Sequence, residues 1–228
     1  ALVGLGRIKG IERPAIATVI PSLTGATVLL DSGAKVDAKP EQLVQSAIMG
    51  SVYAESQLGI KNPRVGLLNI GEEETKGNEQ CLATYPLLKA NPHIHFIGNV
   101  EGRDINKGTV DVVVCDGFTG NVVLKTMEGL GSAVLEIIRS AVKGSGFLSK
   151  FGALLMKPAL TEVKRKMDAS EYGGALLLGV RAPFIICHGS SKAKAIKNAV
   201  RVAIELTEKD IVGKIGREIL RDEESGEL

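Results

Sequence analysis

The sequence contains no tryptophan, and aromatic residues make up only 4% of its 228 residues. So few aromatic side chains leave the interior of the protein to aliphatic residues, and 27 glycines indicate many tight turns. An aliphatic core with many turns favours an α/β fold over an all-β sandwich. With 44% hydrophobic and 24% charged residues, the chain is typical of a globular protein with a sizeable core.

Cysteine and excess charge are also scarce. Cys81, Cys115 and Cys187 are odd in number and lack metal-ligand spacing. Cys115 and Cys187 end apolar runs, so we expect buried thiols in a reducing cytoplasm. The net charge of +2 implies no nucleic-acid partner. No apolar run is long enough to cross a bilayer.

Apolar strands alternate with amphipathic helices along the chain. The clearest helix covers residues 40–58, because it begins with proline and is followed by glycine. Further helices are predicted over 121–143 and 192–209, and residues 1–10 resemble the tail of a helix. Strands are predicted over 15–20, 26–30, 64–70, 93–99, 111–115, 175–180 and 183–187. The alternation predicts a single α/β/α domain over residues 1–228, a three-layer sandwich with a mostly parallel sheet.

Short polar loops that contain glycine follow four of these strands. They read DSGAK at 31–35, NIGEEETKGNE at 69–79, DGFTGN at 116–121 and HGSS at 188–191. Ligands of open α/β sheets bind outside the carboxyl ends of the strands. We therefore expect the four loops to converge at one edge of the sheet and form a single cleft.

The stretch DVVVCDGFTGNVVLKT, residues 111–126, combines a strand of the buried type, a polar turn and the start of a long helix. Free N–H groups and the helix dipole would attract an anion there. Alternatively, Asp116 and Thr119 simply cap the helix. The local pattern leaves both interpretations open.

Several familiar sites are excluded by their motifs. No GxxxxGK[ST] occurs, no GxGxxG follows a strand and no GxSxG is present, which argues against a P-loop, a dinucleotide site and a hydrolase triad. Cys115 has no base nearby in sequence, so a structural thiol is favoured over a nucleophile. Lys76 and His188 are open to either a structural or a functional interpretation.

Six regions carry a resemblance to a known family: RIKGIERPA (7–15), VDAKPEQLVQSAIMGSVY (36–53), PRVGLLNIGEEETKGNE (63–79), FIGNVEGRDI (96–105), DVVVCDGFTGNVVLKTMEG (111–129) and YGGA with APFIICHGSS (172–175 and 182–191). Together they resemble the phosphate acyltransferases of bacterial phospholipid synthesis, the PlsX type. Members of that family carry a further N-terminal portion with a glycine-rich SAGNTGA-like segment, which would immediately precede Ala1. The domain is therefore expected to be N-terminally incomplete and to lack a wall of the cleft.

The resemblance implies transfer of a fatty acyl group from acyl carrier protein to inorganic phosphate, giving acyl phosphate for phosphatidic acid synthesis. It also implies a fold similar to isocitrate dehydrogenases and phosphotransacetylases, a homodimer, and peripheral attachment to the inner face of the cell membrane. No cofactor or metal is expected, and a downstream membrane acyltransferase is a further expected partner. Two alternatives stay open: a phosphotransacetylase of the same architecture that uses coenzyme A, and a non-catalytic, membrane-associated scaffold.

The loops supply candidates for this chemistry, because a dianion and a developing oxyanion need cations and hydrogen-bond donors. Catalysis is assigned to a cation, an amide and an imidazole, namely Lys76, Asn78 and His188. Phosphate binding is assigned to polar groups of the loops, namely Thr119, Gly120, Asn121, Ser190 and Asp116. His188 with Ser190 would orient phosphate or protonate the leaving thiolate.

Residues 146–167 form a separate apolar and basic segment within a predicted helical insertion at about 144–170. Its apolar residues are Phe147, Leu148, Phe151, Leu154, Leu155 and Met156. They predict either a helical hairpin packed in a dimer interface or a protruding tip that dips into the bilayer interface. The cations Lys164, Arg165 and Lys166 would dock acidic carrier protein.

Overall fold

The computed structural model describes residues 2–167, 174–187, 189 and 191–225. A seven-stranded sheet forms the middle layer, in the order β4-β3-β5-β2-β1-β6-β7. Its strands are β1 Ala15–Ser22, β2 Gly25–Leu30, β3 Val65–Asn69, β4 Phe96–Glu101, β5 Val112–Val114, β6 Ala175–Leu178 and β7 Ile185–Ile186. The helices are α1 Leu2–Leu5, α2 Pro40–Leu58, α3 Glu79–Ala90, α4 Asp104–Lys107, α5 Gly117–Gly144, α6 Phe147–Met167, α7 Ala193–Glu208 and α8 Ile211–Ser225.

The predicted parallel core is confirmed. Strands β4, β3, β5 and β2 run parallel to one another, with Leu29 opposite Val113 and Leu67 opposite Val114. β1 is antiparallel to both β2 and β6, and β7 is antiparallel to β6. The four parallel strands therefore end at the same side of the sheet, which we call the carboxyl edge.

The three valines of β5 show how the sheet is buried on both faces. Val112 and Val114 belong to an apolar cluster that α2, α3, α7 and α8 cover. Val113 points to the opposite face, where it joins a smaller cluster with Ile105 of α4. Side chains alternate between the two faces of a strand, so a run of three valines requires a layer on each side. The three-layer α/β/α arrangement follows from that requirement.

Local signals fix the ends of α2, which begins and ends where the sequence predicts. Pro40 lies in the first turn, and Gly59 adopts a left-handed conformation with φ of 72° while its N–H donates to the carbonyl of Ala54. The predicted helix over residues 1–10 is wrong beyond Leu5. Gly6 has φ of 73°, and Arg7 then pairs with Val180 as an isolated β-bridge.

Helices α5 and α6 form a helical hairpin joined by Ser145 and Gly146. Only Val123 and Met127 of α5 pack partly against the core, and the buried residues of α5 are Gly117 and Gly120. Helix α5 starts four residues earlier than predicted. The hairpin consists of α5 and α6, whereas the predicted insertion at about 144–170 covers only the turn and α6. No helix in the described ranges is both long enough and apolar enough to span a membrane.

Candidate active site

The loop that follows β2 is built around the buried carboxylate of Asp31. Its Oδ1 accepts hydrogen bonds from the backbone N–H groups of Ile16 at 3.0 Å, Gly33 at 3.0 Å and Ala34 at 2.8 Å. Its Oδ2 accepts a fourth from the N–H of Lys35 at 2.8 Å. Asp31 is 3% exposed, so it holds the loop from within and does not face a ligand.

The N-terminus of α5 is capped by Asp116. Its carboxylate accepts from the backbone N–H of Thr119 at 2.8 Å and from the hydroxyl of the same residue at 2.7 Å. The N–H of Gly117 donates to the carbonyl of Lys35, and the N–H of Gly120 donates to the carbonyl of Asp116. The capping interpretation of this stretch is confirmed. Thr119 and Gly120 therefore offer a ligand no unoccupied donor in this arrangement.

Two glycines allow α5 to start so close to the loop after β2. A Cβ on Gly120 would lie 1.9 Å from the carbonyl oxygen of Asp31, and one on Gly117 would lie 2.5 Å from that of Lys35. The exposed side chain of Asn121 lies beside this contact, 3.6 Å from where a Cβ on Gly33 would be. Asn121 is thus a polar side chain in the first turns of α5 that remains open to a ligand, at the positive end of the helix dipole.

Two buried or half-buried asparagines hold the loop between β3 and α3. The Asn69 side-chain amide donates to the carbonyl of Lys76 at 2.9 Å, and that of Asn99 donates to the carbonyl of Glu73 at 2.8 Å. Gly77 has φ of 106°, and a Cβ there would lie 2.6 Å from Asn69 Oδ1. The loop backbone is therefore held in place, while the Lys76 side chain is exposed and has no partner among the described residues.

Lys76 lines an open cleft of about 550 Å³ at the ends of β3 and β4. Arg103 lines the same cleft and forms an ion pair with Glu101, the last residue of β4. Asp104 accepts from the backbone N–H of Glu101 at 2.9 Å, and its ion pair with Lys107 lowers its pKa. Sequence reasoning missed Arg103, although its position two residues after a parallel strand is the signal that would have found it.

Comparison with known proteins places this arrangement in a family. Residues 1–214 match the family model described as "Fatty acid synthesis protein". The chain belongs to this family. A relative named phosphate acyltransferase, from Desulfitobacterium hafniense (strain Y51), is 60% identical over 222 residues. Another of the same name, from Heliobacterium modesticaldum, is 58% identical over 219 residues.

The match covers 97% of this chain but 66% of the Desulfitobacterium relative, and 96% of this chain but 65% of the Heliobacterium relative. The chain thus spans just under two thirds of the length of these family members. Among solved structures, a phosphotransacetylase from Streptococcus pyogenes aligns with a TM-score of 0.57, 16% identity, and coverage of 90% of this chain and 57% of the other. A branched-chain phosphotransacylase from Enterococcus faecalis aligns with a TM-score of 0.54 at 12% identity, covering 89% and 68%. These two structures share the α/β fold with this family member.

In this member of the fatty acid synthesis family, the remaining predicted site residues do not all lie in loops at the carboxyl edge. The loops after β2, β3 and β5 leave the carboxyl edge together, and the Gln80 side chain, in the first turn of α3, donates to the carbonyl of Ala38 in the loop after β2. Asn78 caps α3 by accepting from the N–H of Cys81 at 2.9 Å. Strand β7 differs from β2, β3 and β5, because it runs opposite to the parallel strands, and the loop at 188–191 that follows it lies partly outside the described residues.

Four of the predicted functional side chains cannot be placed. His188 and Ser190 lie outside the described residues, as do the side chains of Lys164 and Lys166. Arg165 is described, and it forms an exposed ion pair with Glu162 at 2.7 Å. The phosphate role predicted for His188 with Ser190, and the docking role predicted for the basic cluster at 164–166, therefore stay predictions.

Cys115 and Cys81 do not add a nucleophile to the candidate site. Cys115 is 4% exposed, and burial raises the pKa of its thiol well above the ordinary value. Burial also raises the pKa of Cys81, whose Sγ lies 3.7 Å from the carbonyl oxygen of Leu68. A thiol with a raised pKa is a poor source of thiolate, so the structural interpretation of Cys115 is the better one.

Proposed function

We propose that the protein transfers a fatty acyl group from acyl carrier protein to inorganic phosphate, releasing acyl phosphate for phospholipid synthesis. The observation that carries the proposal is the 60% identity, over 97% of the chain, to a relative named phosphate acyltransferase. The carboxyl edge supports it, since three polar loops meet there beside an exposed lysine. We also infer that the enzyme acts in the cytoplasm.

The proposed reaction needs no covalent enzyme intermediate. A phosphate oxygen attacks the thioester carbonyl, the carbonyl oxygen gains negative charge, and the thiolate of the carrier protein leaves as the acyl phosphate bond forms. Catalysis then consists of holding phosphate near the thioester and stabilising the oxyanion. Both tasks need fixed positive charge and hydrogen-bond donors at one place.

Lys76 is our candidate for the main charge, because its backbone is held by Asn69 while its side chain is exposed to the cleft. Asn121 would donate to phosphate at the start of α5. Asp116 would hold the Thr119 hydroxyl in place, since the two are already hydrogen-bonded. His188 and Ser190 keep their predicted role in orienting phosphate or protonating the thiolate.

Replacing Lys76 tests the proposed site. We expect Lys76→Ala to lower acyl phosphate formation from palmitoyl-acyl carrier protein about 100-fold, since a fixed donor at an oxyanion contributes on that order. Lys125→Ala is the matched control, because Lys125 is paired with Glu128 on the exposed side of α5. Activity of Lys76→Ala within a few-fold of the unmodified protein would contradict the assignment.

The same assay separates the alternatives. The assay is run in the reverse direction, from acyl phosphate, with either acyl carrier protein or coenzyme A added as the acceptor. Preference for coenzyme A would favour a phosphotransacetylase, and turnover with neither acceptor would favour a non-catalytic scaffold.

We further propose that the hairpin attaches the protein peripherally to the membrane. The six predicted tip residues are between 53% and 83% exposed. Exposed apolar groups beside lysines are typical of helices that lie in the headgroup region. In flotation with vesicles of anionic lipid, we expect the double variant Leu154→Glu with Leu155→Glu to lose binding, and Leu82→Glu, on α3, to retain it. Undiminished vesicle binding by the double variant would contradict the proposal that the tip attaches the protein to the membrane.

The remaining partners are proposed from the family resemblance and the hairpin together. Exposed apolar residues of α5, namely Leu130, Val134 and Ile137, would suit a homodimer interface, which sedimentation equilibrium tests directly. The basic cluster containing Arg165 would dock acyl carrier protein, and a membrane acyltransferase would receive the product.

A further inference from the structure

A groove runs between the two helices of the hairpin, apart from the carboxyl edge. It encloses about 480 Å³, a size within the range of small-molecule sites. On α5 its lining residues are spaced three and four apart, and the same spacing recurs on α6, so one face of each helix turns towards the other. Its apolar floor is formed by the half-buried residues Leu135, Val142, Ala153 and Leu160, and the exposed Ile138 and Leu154 line its outer edge.

Every charged residue that lines this interhelical groove is basic, and Thr161 is its one uncharged polar residue. Lys143, Lys150 and Lys157 line it together with Arg139, which pairs with Glu136 at the groove's inner end. No Asp or Glu occurs between residues 137 and 161. The three lysines have no acidic partner among the described residues, so an anion at the rim would meet uncompensated positive charge.

We infer that the interhelical groove binds a single-chain amphiphile with an anionic head group, the chemistry of a fatty acyl anion. The apolar floor suits one alkyl chain, and the lysines suit a carboxylate or phosphate head. Two half-buried floor residues, Val142 of α5 and Ala153 of α6, both line the groove. Identification of the natural occupant as the acyl phosphate product rests on the proposed function, but the binding inference does not.

A groove-filling substitution tests the site. The probe is cis-parinaric acid, a fluorescent fatty acid, titrated below its micelle concentration into the 228-residue protein. We expect Ala153→Trp to weaken probe binding at least about tenfold, because the indole would occupy the apolar floor. Ala159→Trp is the matched control: Ala159 lies on the same helix, is exposed and does not line the groove. It should bind the probe like the unmodified protein.

A charge substitution tests the head group and does not depend on packing. We expect Lys150→Gln with Lys157→Gln to weaken binding of the acid about tenfold and to leave binding of the parinaric methyl ester unchanged. Lys125→Gln, outside the groove, should change neither. Unfolding midpoints of all variants identify any variant that loses the fold. If Ala153→Trp unfolds, the double variant Lys150→Gln with Lys157→Gln still tests the inference.

Three results would overturn the inference: equal probe binding by Ala153→Trp and Ala159→Trp, equal weakening of acid and ester by the charge pair, or probe uptake only when vesicles are present. Probe exclusion that accompanies self-association would also overturn it, since a second copy would then fill the groove. None of these measurements involves acyl transfer. A failed groove and a failed phosphate acyltransferase assignment are therefore distinguishable.

Discussion

The sheet and the hairpin use the same kinds of apolar residues in opposite ways. Leu29, Leu67 and Val113 in the sheet are 0% exposed, whereas Ile137, Leu148 and Leu155 in the hairpin are between 67% and 83% exposed. Both regions are regular and hydrogen-bonded. The difference lies in what covers the side chains: other parts of this chain cover the three sheet residues, whereas the three hairpin residues stay largely uncovered by the described part of the chain.

This contrast separates residues that stabilise the fold from residues available for contact. Burial of a leucine contributes to the free energy of folding, while an exposed leucine contributes almost nothing until a partner covers it. The hairpin therefore retains its hydrophobic driving force for a lipid, an acyl chain or a second protein. Matched substitutions in the two regions can test this directly.

The largest expected difference is between two leucines. Leu67→Ala in β3 should lower the free energy of unfolding by about 2–5 kcal/mol, because it leaves a cavity in the covered face of the sheet. Leu155→Ala in α6 should change it by less than about 0.5 kcal/mol. Urea denaturation followed by circular dichroism measures both. A similar cost for the two would mean that the hairpin is covered in solution.

The next contrast lies within one helix, between its start at the sheet and its middle in the hairpin. Gly120→Ala should destabilise the protein by about 1–3 kcal/mol, since its Cβ would collide with the carbonyl of Asp31. Gly129→Ala should stabilise it by up to about 1 kcal/mol, because nothing lies within 4 Å and alanine favours the helix. Thermal unfolding should shift in opposite directions. Equal signs would disprove the close contact at Gly120.

The smallest contrast concerns two ion pairs. Burial raises the pKa of Asp111, but hydrogen bonds from Arg64 at 2.9 Å outweigh burial and lower the pKa overall. The Asp111–Arg64 ion pair contributes on the order of 1 kcal/mol to the free energy of unfolding, a small value because Arg64 is partly exposed. This contribution is present above the unfolded pKa of about 4 and is lost as pH falls through the folded pKa of Asp111.

Urea midpoints measured from pH 6 down to pH 3 test this ion pair. Asp111→Asn should flatten the fall in stability below about pH 4. Glu136→Gln, which breaks the exposed pair with Arg139 on α5, should leave the profile unchanged. An unchanged slope in Asp111→Asn would remove this carboxylate from the acid response.

Elements with local signals were predictable from the sequence, and α2 is the clearest case. The direction of β1 was also within reach, because Leu23 and Thr24 are the whole connection to β2 and two residues suffice only for an antiparallel hairpin. The apolar run of β1, taken alone, is also typical of a parallel strand and does not reveal the direction of the strand. Period and composition report burial, whereas chain direction depends on the connection.

The site was less predictable, because its internal contacts join residues far apart in sequence. Gly117 and Gly120 look like turn residues, so the helix was expected to begin at Asn121. They are helical because the loop at 31–35 packs against them and only glycine leaves room. Asp31 likewise belongs to a loop that was expected to line the cleft, but its carboxylate is enclosed by backbone N–H groups. No local pattern encodes either contact.

The length of α5 sets a fixed distance within the molecule. Its 28 residues form one continuous helix from the carboxyl edge to the turn at Ser145, which corresponds to about 42 Å. If the protein rests on a bilayer by that turn, as proposed above, the proposed phosphate site would lie well above the lipid surface. An acyl product formed at the carboxyl edge would have to move along the hairpin before it could enter the membrane. The interhelical groove lies between the carboxyl edge and the turn of the hairpin.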